Sequence, residues 1–239
     1  MENPNVGNAV SRIAILLEYP TVNGGENSML AVLKHLLDGG ASNSGFEFCV
    51  LGPTEGAMAQ RVAQLGIPSY ELNLTADDGL RLPRDKAIPR LIEAAGKSGA
   101  HLLHGNSLAM GRLLGAASRQ HSGIVATAHL RDIMKLSRAA ISDLNANRQL
   151  IAVSEATLKF HVIQGLDERV GSVIHNGIDV DDFVADNSTG MQIRQELGIS
   201  DDAIVLLTVG QIGLRKGLDT LAEAGRMLAG RTKGIHWLL

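Results

Sequence analysis

The chain has 239 residues, with 22 basic against 25 acidic side chains, a formal net charge of −3, 45% hydrophobic and 3% aromatic residues, and 27 glycines against 6 prolines. So apolar and unbiased a composition belongs to packed globular structure and excludes a disordered tail. The slight negative balance excludes a dedicated nucleic-acid binder, which needs a broad basic footprint. With Cys49 as the only cysteine, an intrachain disulfide, a thiolate zinc site and a Cys-x-x-Cys redox pair are also excluded.

In chain order, the N-terminal apolar run Ile13 to Leu17 is too short for a signal-peptide core. No later run approaches the roughly 20 residues of a membrane-spanning helix. Together with the cysteine count, this makes a reducing cytoplasm the expected setting. The first predicted strand is Arg12 to Leu17, followed by a turn and a helix that carries Met29, Leu30, Leu33, Leu36 and Leu37 on one face. A strand at Phe46 to Leu51, a helix from Glu55 to Leu65 stopped by Gly66 and Pro68, and a strand at Ser69 to Leu74 come next. A loop holding Pro83 and Pro89 leads to a helix near Ala87 to Lys97, a strand at His101 to His104 and a helix over Leu108 to Gln120. Then follow a strand at Ile124 to His129, an irregular helix over Arg131 to Asn147, a strand at Leu150 to Val153, a helix from Glu155 to Gln164 and a strand at Val170 to His175.

Strands alternating with helices predict an α/β doubly wound parallel sheet over residues 1–183. Residues 184–202, rich in Asp, Asn and Ser, read as a linker holding a short helix near Gly190 to Leu197. A second Rossmann-like unit opens at 203–239 with a strand at Ala203 to Val209, a helix at Gly217 to Ala229 and a strand at Ile235 to Leu239. One such unit cannot bury both its faces, so a truncated second domain is expected.

Three strand-to-helix turns are candidates for chemistry. Asn23-Gly24-Gly25-Glu26 offers free N–H groups at a helix start, either as an anion site or as a plain tight turn. Gly210-Gln211-Ile212-Gly213-Leu214-Arg215-Lys216-Gly217 adds two cations, an arrangement suited to a diphosphate; the alternative is a solvated basic turn. Gly105-Asn106-Ser107-Leu108-Ala109 has the small-x-Ser-x-small shape of a hydrolase nucleophile elbow, which would make Ser107 a nucleophile. His129, at a strand's carboxyl end, is a candidate for acid–base chemistry or hydroxyl binding. His101 and His104, three apart in a strand, face opposite sides and cannot share a metal, so no metal site is expected. Arg81, Arg84, Lys86 and Arg90 read as a solvated face that an anionic acceptor or lipid headgroup could also use.

Taken together, these segments resemble the retaining GT-B glycosyltransferases of family 4. The segments RIAILLEYPTVNGGENSMLAVLKHL, EGAMAQRVAQLGIPSYEL, HLLHGNSL, ATAHLRD, LIAVSEATLKFHV, VIHNGIDVDDF and TVGQIGLRKGLDTLAEA carry the likeness. Asn106 replaces a histidine of the family pattern, Leu130 an aspartate and Gln211 an arginine, with Arg215 as the candidate replacement for that arginine.

The resemblance implies transfer of a sugar from a nucleotide-diphosphate donor to a hydroxyl acceptor, glycan or lipid-linked, with retention of configuration. It implies no metal or other cofactor, no nucleic-acid partner and at most peripheral membrane contact. It makes His129 the catalytic-site histidine and places Gly24, Gly25, Gln211, Arg215 and Lys216 on the donor's phosphates, with Glu26, Asn106, Ser154 and Asn176 lining the cleft. The family's Glu-x7-Glu motif has no counterpart in these residues, so this chain is expected to be inactive alone. A non-catalytic glycosyltransferase-like binding module and a Ser107 hydrolase are the other classes open.

Overall fold

The computed structural model describes residues 11–39, 45–210, 212–213, 216–228 and 234–238. The chain divides into two compact units, Met1–Asp179 and Val180–Leu239. In the first unit the elements run β1 (Ser11–Leu16), α1 (Gly24–Asp38), β2 (Phe46–Gly52), α2 (Ala57–Gln64), β3 (Ser69–Glu71), α3 (Arg84–Ser98) and β4 (Leu102–Gly105). They continue with α4 (Leu108–Gln120), β5 (Ala126–Leu130), α5 (Arg138–Leu144), β6 (Gln149–Ala152), α6 (Glu155–Ile163) and β7 (Gly171–Val173).

All seven strands are parallel in the order β3-β2-β1-β4-β5-β6-β7. The chain winds outward from β1 in one direction, then restarts at β4 on the other side, so the carboxyl ends of β1 and β4 flank a topological switch point. β1 shows how the sheet is covered on both faces. Ala14 and Leu16 enter one core with Cys49, Leu51, Leu91, Leu103 and Leu114. Ile15 and Leu17 enter another with Met29, Leu30, Leu33, Val50, Met58 and Val62. Period-2 alternation therefore serves two helical layers, which is why the strand is apolar throughout. Leu36 and Leu37, expected on the buried face of α1, are only partly covered.

Where the elements differ from expectation, side chains supply the reason. Pro89 lies inside α3, not in a loop. It is exposed, so the Asp85 carbonyl that its missing N–H would have served is open to water. The segment 131–137 is not helical, because α6 side chains satisfy its backbone instead. Leu136 N donates to Gln164 Oε1 at 2.7 Å, and the ring of His161, fully buried, donates from Nε2 to Asp132 O at 2.9 Å. The Arg81 to Arg90 run is mostly engaged: Arg81 pairs with Glu18, Arg84 with Asp143, and Arg90 donates to Asn73 O at 2.9 Å.

Asp143 on α5 is completely buried and held by Arg84 of α3 and Arg119 of α4. α4 approaches α5 so closely that a Cβ on Gly115 would stand 1.7 Å from the Asp143 carbonyl oxygen, a place only glycine can fill.

The second unit carries α7 (Asn187–Glu196), β8 (Ile204–Leu207), α8 (Leu218–Leu228) and β9 (Ile235–Leu238), with β8 and β9 parallel. α7 starts before the predicted Gly190 because Asp186 caps it, accepting from Ser188 N at 2.9 Å. Hydrogen bonds from Ser188 and Thr189 hold that carboxyl down to about 2. Ile204 and Leu207 of β8 are 59% and 66% exposed. Trp237 of β9 packs on α8, its ring 3.8 Å from where a Gly225 Cβ would sit.

Replacing Asp143 by Ala removes the carboxylate that joins three helices. Its two arginines are about half exposed, so solvent screening moderates the loss, and a drop of about 2 kcal/mol in urea unfolding is expected. Arg119→Ala, which leaves Arg84 in place, is expected to cost about half as much; equal losses would show that the two arginines do not share the load.

Candidate functional site

At the switch point, Asn106 follows β4 and is 2% exposed. Its backbone N donates to Leu16 O at 3.2 Å and its Nδ2 to Gly25 O at 3.2 Å, so one residue ties the ends of β1 and β4 to the first turn of α1. The remaining Asn106 oxygens receive Arg131, with Nε on the backbone carbonyl at 3.0 Å and Nη2 on Oδ1 at 2.8 Å. Arg131 Nη1 reaches Asn176 Oδ1 at 3.1 Å, and Ser28 Oγ donates to the same oxygen at 3.0 Å. The segments after β4, β5 and β7 therefore meet at one guanidinium, and the start of α1 is tied to them through Gly25 O and Ser28.

Gly25 permits the crossing, since a Cβ there would lie 3.2 Å from Arg131 Cδ. Glu26 turns back to accept the Asn23 N–H at 3.0 Å, so the first turn of α1 carries its own carboxylate. Burial lowers the Arg131 pKa, while Glu26 and Asp132 act in the opposite direction.

A histidine pair lies on the same strands. His104 of β4 stands in register with Thr127 of β5, and its Nδ1 is 2.8 Å from Thr127 Oγ1. Its Nε2 is 2.8 Å from His129 Nδ1, with the two rings edge-on at 4.9 Å and 86°. Desolvation, then the charge of Arg131, lowers His104 to about 4. Desolvation, Arg131 and His104 together lower His129 to about 3. Both rings are neutral at physiological pH. His129 engages Nδ1 with His104, so Nε2 is its ring nitrogen outside this pair.

The structure thus gathers Gly25, Glu26, Asn106 and Asn176 around Arg131, with His129 within reach of its charge. Gly24 opens α1 beside them with open space around its Cα. Ser154 caps α6 at the end of β6, accepting from Thr157 N at 3.1 Å, and is not joined by hydrogen bond to this group. Ser107 caps α4 through Met110 N at 3.2 Å, in relaxed extended geometry (φ −143°, ψ 163°), so its hydroxyl serves the helix. In the second unit Lys216 is exposed and its Cε would lie 3.5 Å from a Gly210 Cβ, while Gln211 and Arg215 fall outside the described residues. Among the described residues, no group of three or more His, Cys, Asp or Glu converges as a metal ion would require.

Arg131, His104, Thr127 and Ser28 are absent from the sequence-derived site. The sequence pattern puts Arg131 at the start of an irregular helix. The available signal was its place two residues after His129 at a strand's carboxyl end.

A family model described as Glycosyltransferase Family 4 matches residues 22–182. A D-inositol 3-phosphate glycosyltransferase from Geodermatophilus obscurus is 44% identical over 66 residues, which are 27% of this chain and 14% of that protein. HepE of Anabaena, crystallised in complex with UDP-glucose, superimposes with a TM-score of 0.73 at 19% identity, over 95% of this chain and 59% of its own. MnaA of S. aureus with UDP gives 0.58 at 14% identity, over 95% and 61%, and MurG of Acinetobacter baumannii 0.53 at 15%, over 95% and 68%. At these identities the structural likeness establishes the Rossmann-like GT-B fold. The chain spans 59% of the length of HepE.

The histidine pair makes stability pH-dependent. Both rings protonate less readily folded than unfolded, so their contribution is whole above about pH 6.5 and declines as pH falls towards about 4 and about 3, by up to about 1.4 kcal/mol per pH unit per ring. Urea titrations between neutral pH and about pH 5 should show this decline, and the double variant His104→Leu, His129→Leu should flatten it; an unchanged slope would place its origin elsewhere. Gly25→Ala, which crowds Arg131 Cδ, is expected to lower stability by about 1 kcal/mol, while Gly24→Ala, with nothing within 4 Å of its added methyl, should cost less.

Proposed function

The chain belongs to glycosyltransferase family 4, and on that premise we propose that it serves to transfer a sugar from a nucleotide-diphosphate donor to an acceptor hydroxyl with retention of configuration. The observation that carries this reading is the convergence of the segments after β4, β5 and β7 and the first turn of α1 on Arg131 and Asn106 at the switch point, beside a neutral His129. Ligands of doubly wound sheets bind in such a crevice. That HepE was crystallised with UDP-glucose and MnaA with UDP supports a nucleoside-diphosphate donor.

His129 Nε2 hydrogen-bonds the reacting sugar. Lys216, with Arg215 in place of the family arginine that Gln211 lacks, offsets charge on the departing diphosphate. Metal is not required in this scheme. The acceptor is a glycan or lipid-linked alcohol. The β8 residues Ile204 and Leu207 leave the second unit with open apolar surface, which supports the reading that these 239 residues alone are inactive. A cytoplasmic setting follows the single, buried Cys49, and no helix among the described residues is long and apolar enough to cross a membrane.

The test is an assay with UDP-glucose and other nucleotide sugars. The 239-residue chain is expected to give no turnover, whereas a protein in which a complete second domain follows should transfer sugar, the product anomer matching the donor by proton NMR. In that protein Lys216→Ala should lower kcat by about 100-fold, and Arg215→Ala should weaken donor binding far more than Gln211→Ala. Turnover by the short chain would overturn its proposed inactivity, and an inverted product would overturn retention.

A further inference from the structure

The structure also assigns a task to two residues that the transfer reading leaves idle. We infer that His104 is a positioning residue that, together with Thr127, fixes the tautomer of His129 so that the His129 proton sits on Nε2 and is donated to an oxygen of the substrate.

Strand register and alternation build the arrangement. His104 and Thr127 are partners across β4 and β5, and Thr127 and His129, two apart on β5, share a face of the sheet. The His104 ring spans both, at 2.8 Å to Thr127 Oγ1 and 2.8 Å to His129 Nδ1. At 8% exposure His104 has both ring nitrogens committed to these contacts.

Each neutral imidazole has one donor and one acceptor nitrogen, so the two contacts are not independent. The Thr127 hydroxyl can act either way, but an imidazole nitrogen is the better acceptor. Thr127 therefore donates to His104 Nδ1. That leaves the His104 proton on Nε2, where it donates to His129 Nδ1 and leaves the His129 proton on Nε2. The reverse order would set an imidazole N–H against the weaker hydroxyl acceptor and leave the Thr127 proton unused.

Burial first, and the neighbouring positive charge second, keep the rings neutral so that this logic applies. Arg131 acts on both rings, while Glu26 and Asp132 act on Arg131. The identity of the oxygen acceptor rests on the transferase reading; the location of the proton does not.

The experiment is long-range proton–nitrogen NMR of the histidine rings in the 239-residue chain. The wild-type protein should show His129 protonated on Nε2 alone at neutral pH, with no titration down to about pH 5. Thr127→Val, which keeps the shape and deletes the hydroxyl, should raise the Nδ1-protonated form of His129 at least several-fold. His104→Leu should do the same, and His104→Gln, whose amide can donate to the same nitrogen, should restore the wild-type tautomer. Methyl spectra report whether each variant keeps the native core, and if one does not, the wild-type tautomer still decides. A proton on His129 Nδ1 in the wild type, or an unchanged tautomer in natively folded Thr127→Val and His104→Leu, would overturn the assignment. If the tautomer is as inferred but the protein with a complete second domain transfers no sugar, the transferase reading fails and the positioning role stands.

Discussion

The hydrogen bonds between Asn106 and Arg131 are the constraint on which the rest of the site depends. A partly buried guanidinium is costly unless its donors are met, and a single asparagine meets two of them while anchoring both central strands. The remaining contacts follow: Asn176 takes a third donor, Ser28 shares that oxygen, and Gly25 gives the side chain room to pass. The charge so fixed adds to burial, the larger cause, in lowering the two histidines, so the polar network and the neutral imidazoles are linked.

Most of the fold was legible in the sequence because both of its main signals are local. Alternating short apolar strands and amphipathic helices announce a doubly wound sheet, and the helix expected over Leu108 to Gln120 matches α4 at both ends. The misplacements share a cause that no local pattern records. The segment 131–137 has its backbone satisfied by His161 and Gln164, about thirty residues later, and so needs no helix. Pro89 looked like a breaker, yet it lies on the water side of α3 where an unserved carbonyl is tolerated.

The site was legible in part for the same reason. Gly25, Glu26 and Asn106 lie at strand-to-helix turns and His129 near the carboxyl end of β5, where short motifs advertise themselves. His104 does not, because its meaning comes from pairing across strands, and Arg131, one residue past β5, takes its meaning from Asn106 and Asn176, distant in the chain. The basic run tells the converse story. A cluster of Arg81, Arg84 and Arg90 invites an external anion when read as a line of text. In space these side chains turn to Glu18, Asp143 and the Asn73 carbonyl, and their charge is largely answered from within.

The core, meanwhile, is assembled from leucine, alanine and close glycine contacts, with hardly an aromatic ring in it. The lone tryptophan, Trp237, lies against α8 in the second unit, and the two tyrosines, Tyr19 and Tyr70, are in the first. Indole emission therefore watches only one of the two units. A melting curve followed by indole emission alone would describe the smaller unit, and the helices of the seven-stranded unit would have to be followed by circular dichroism.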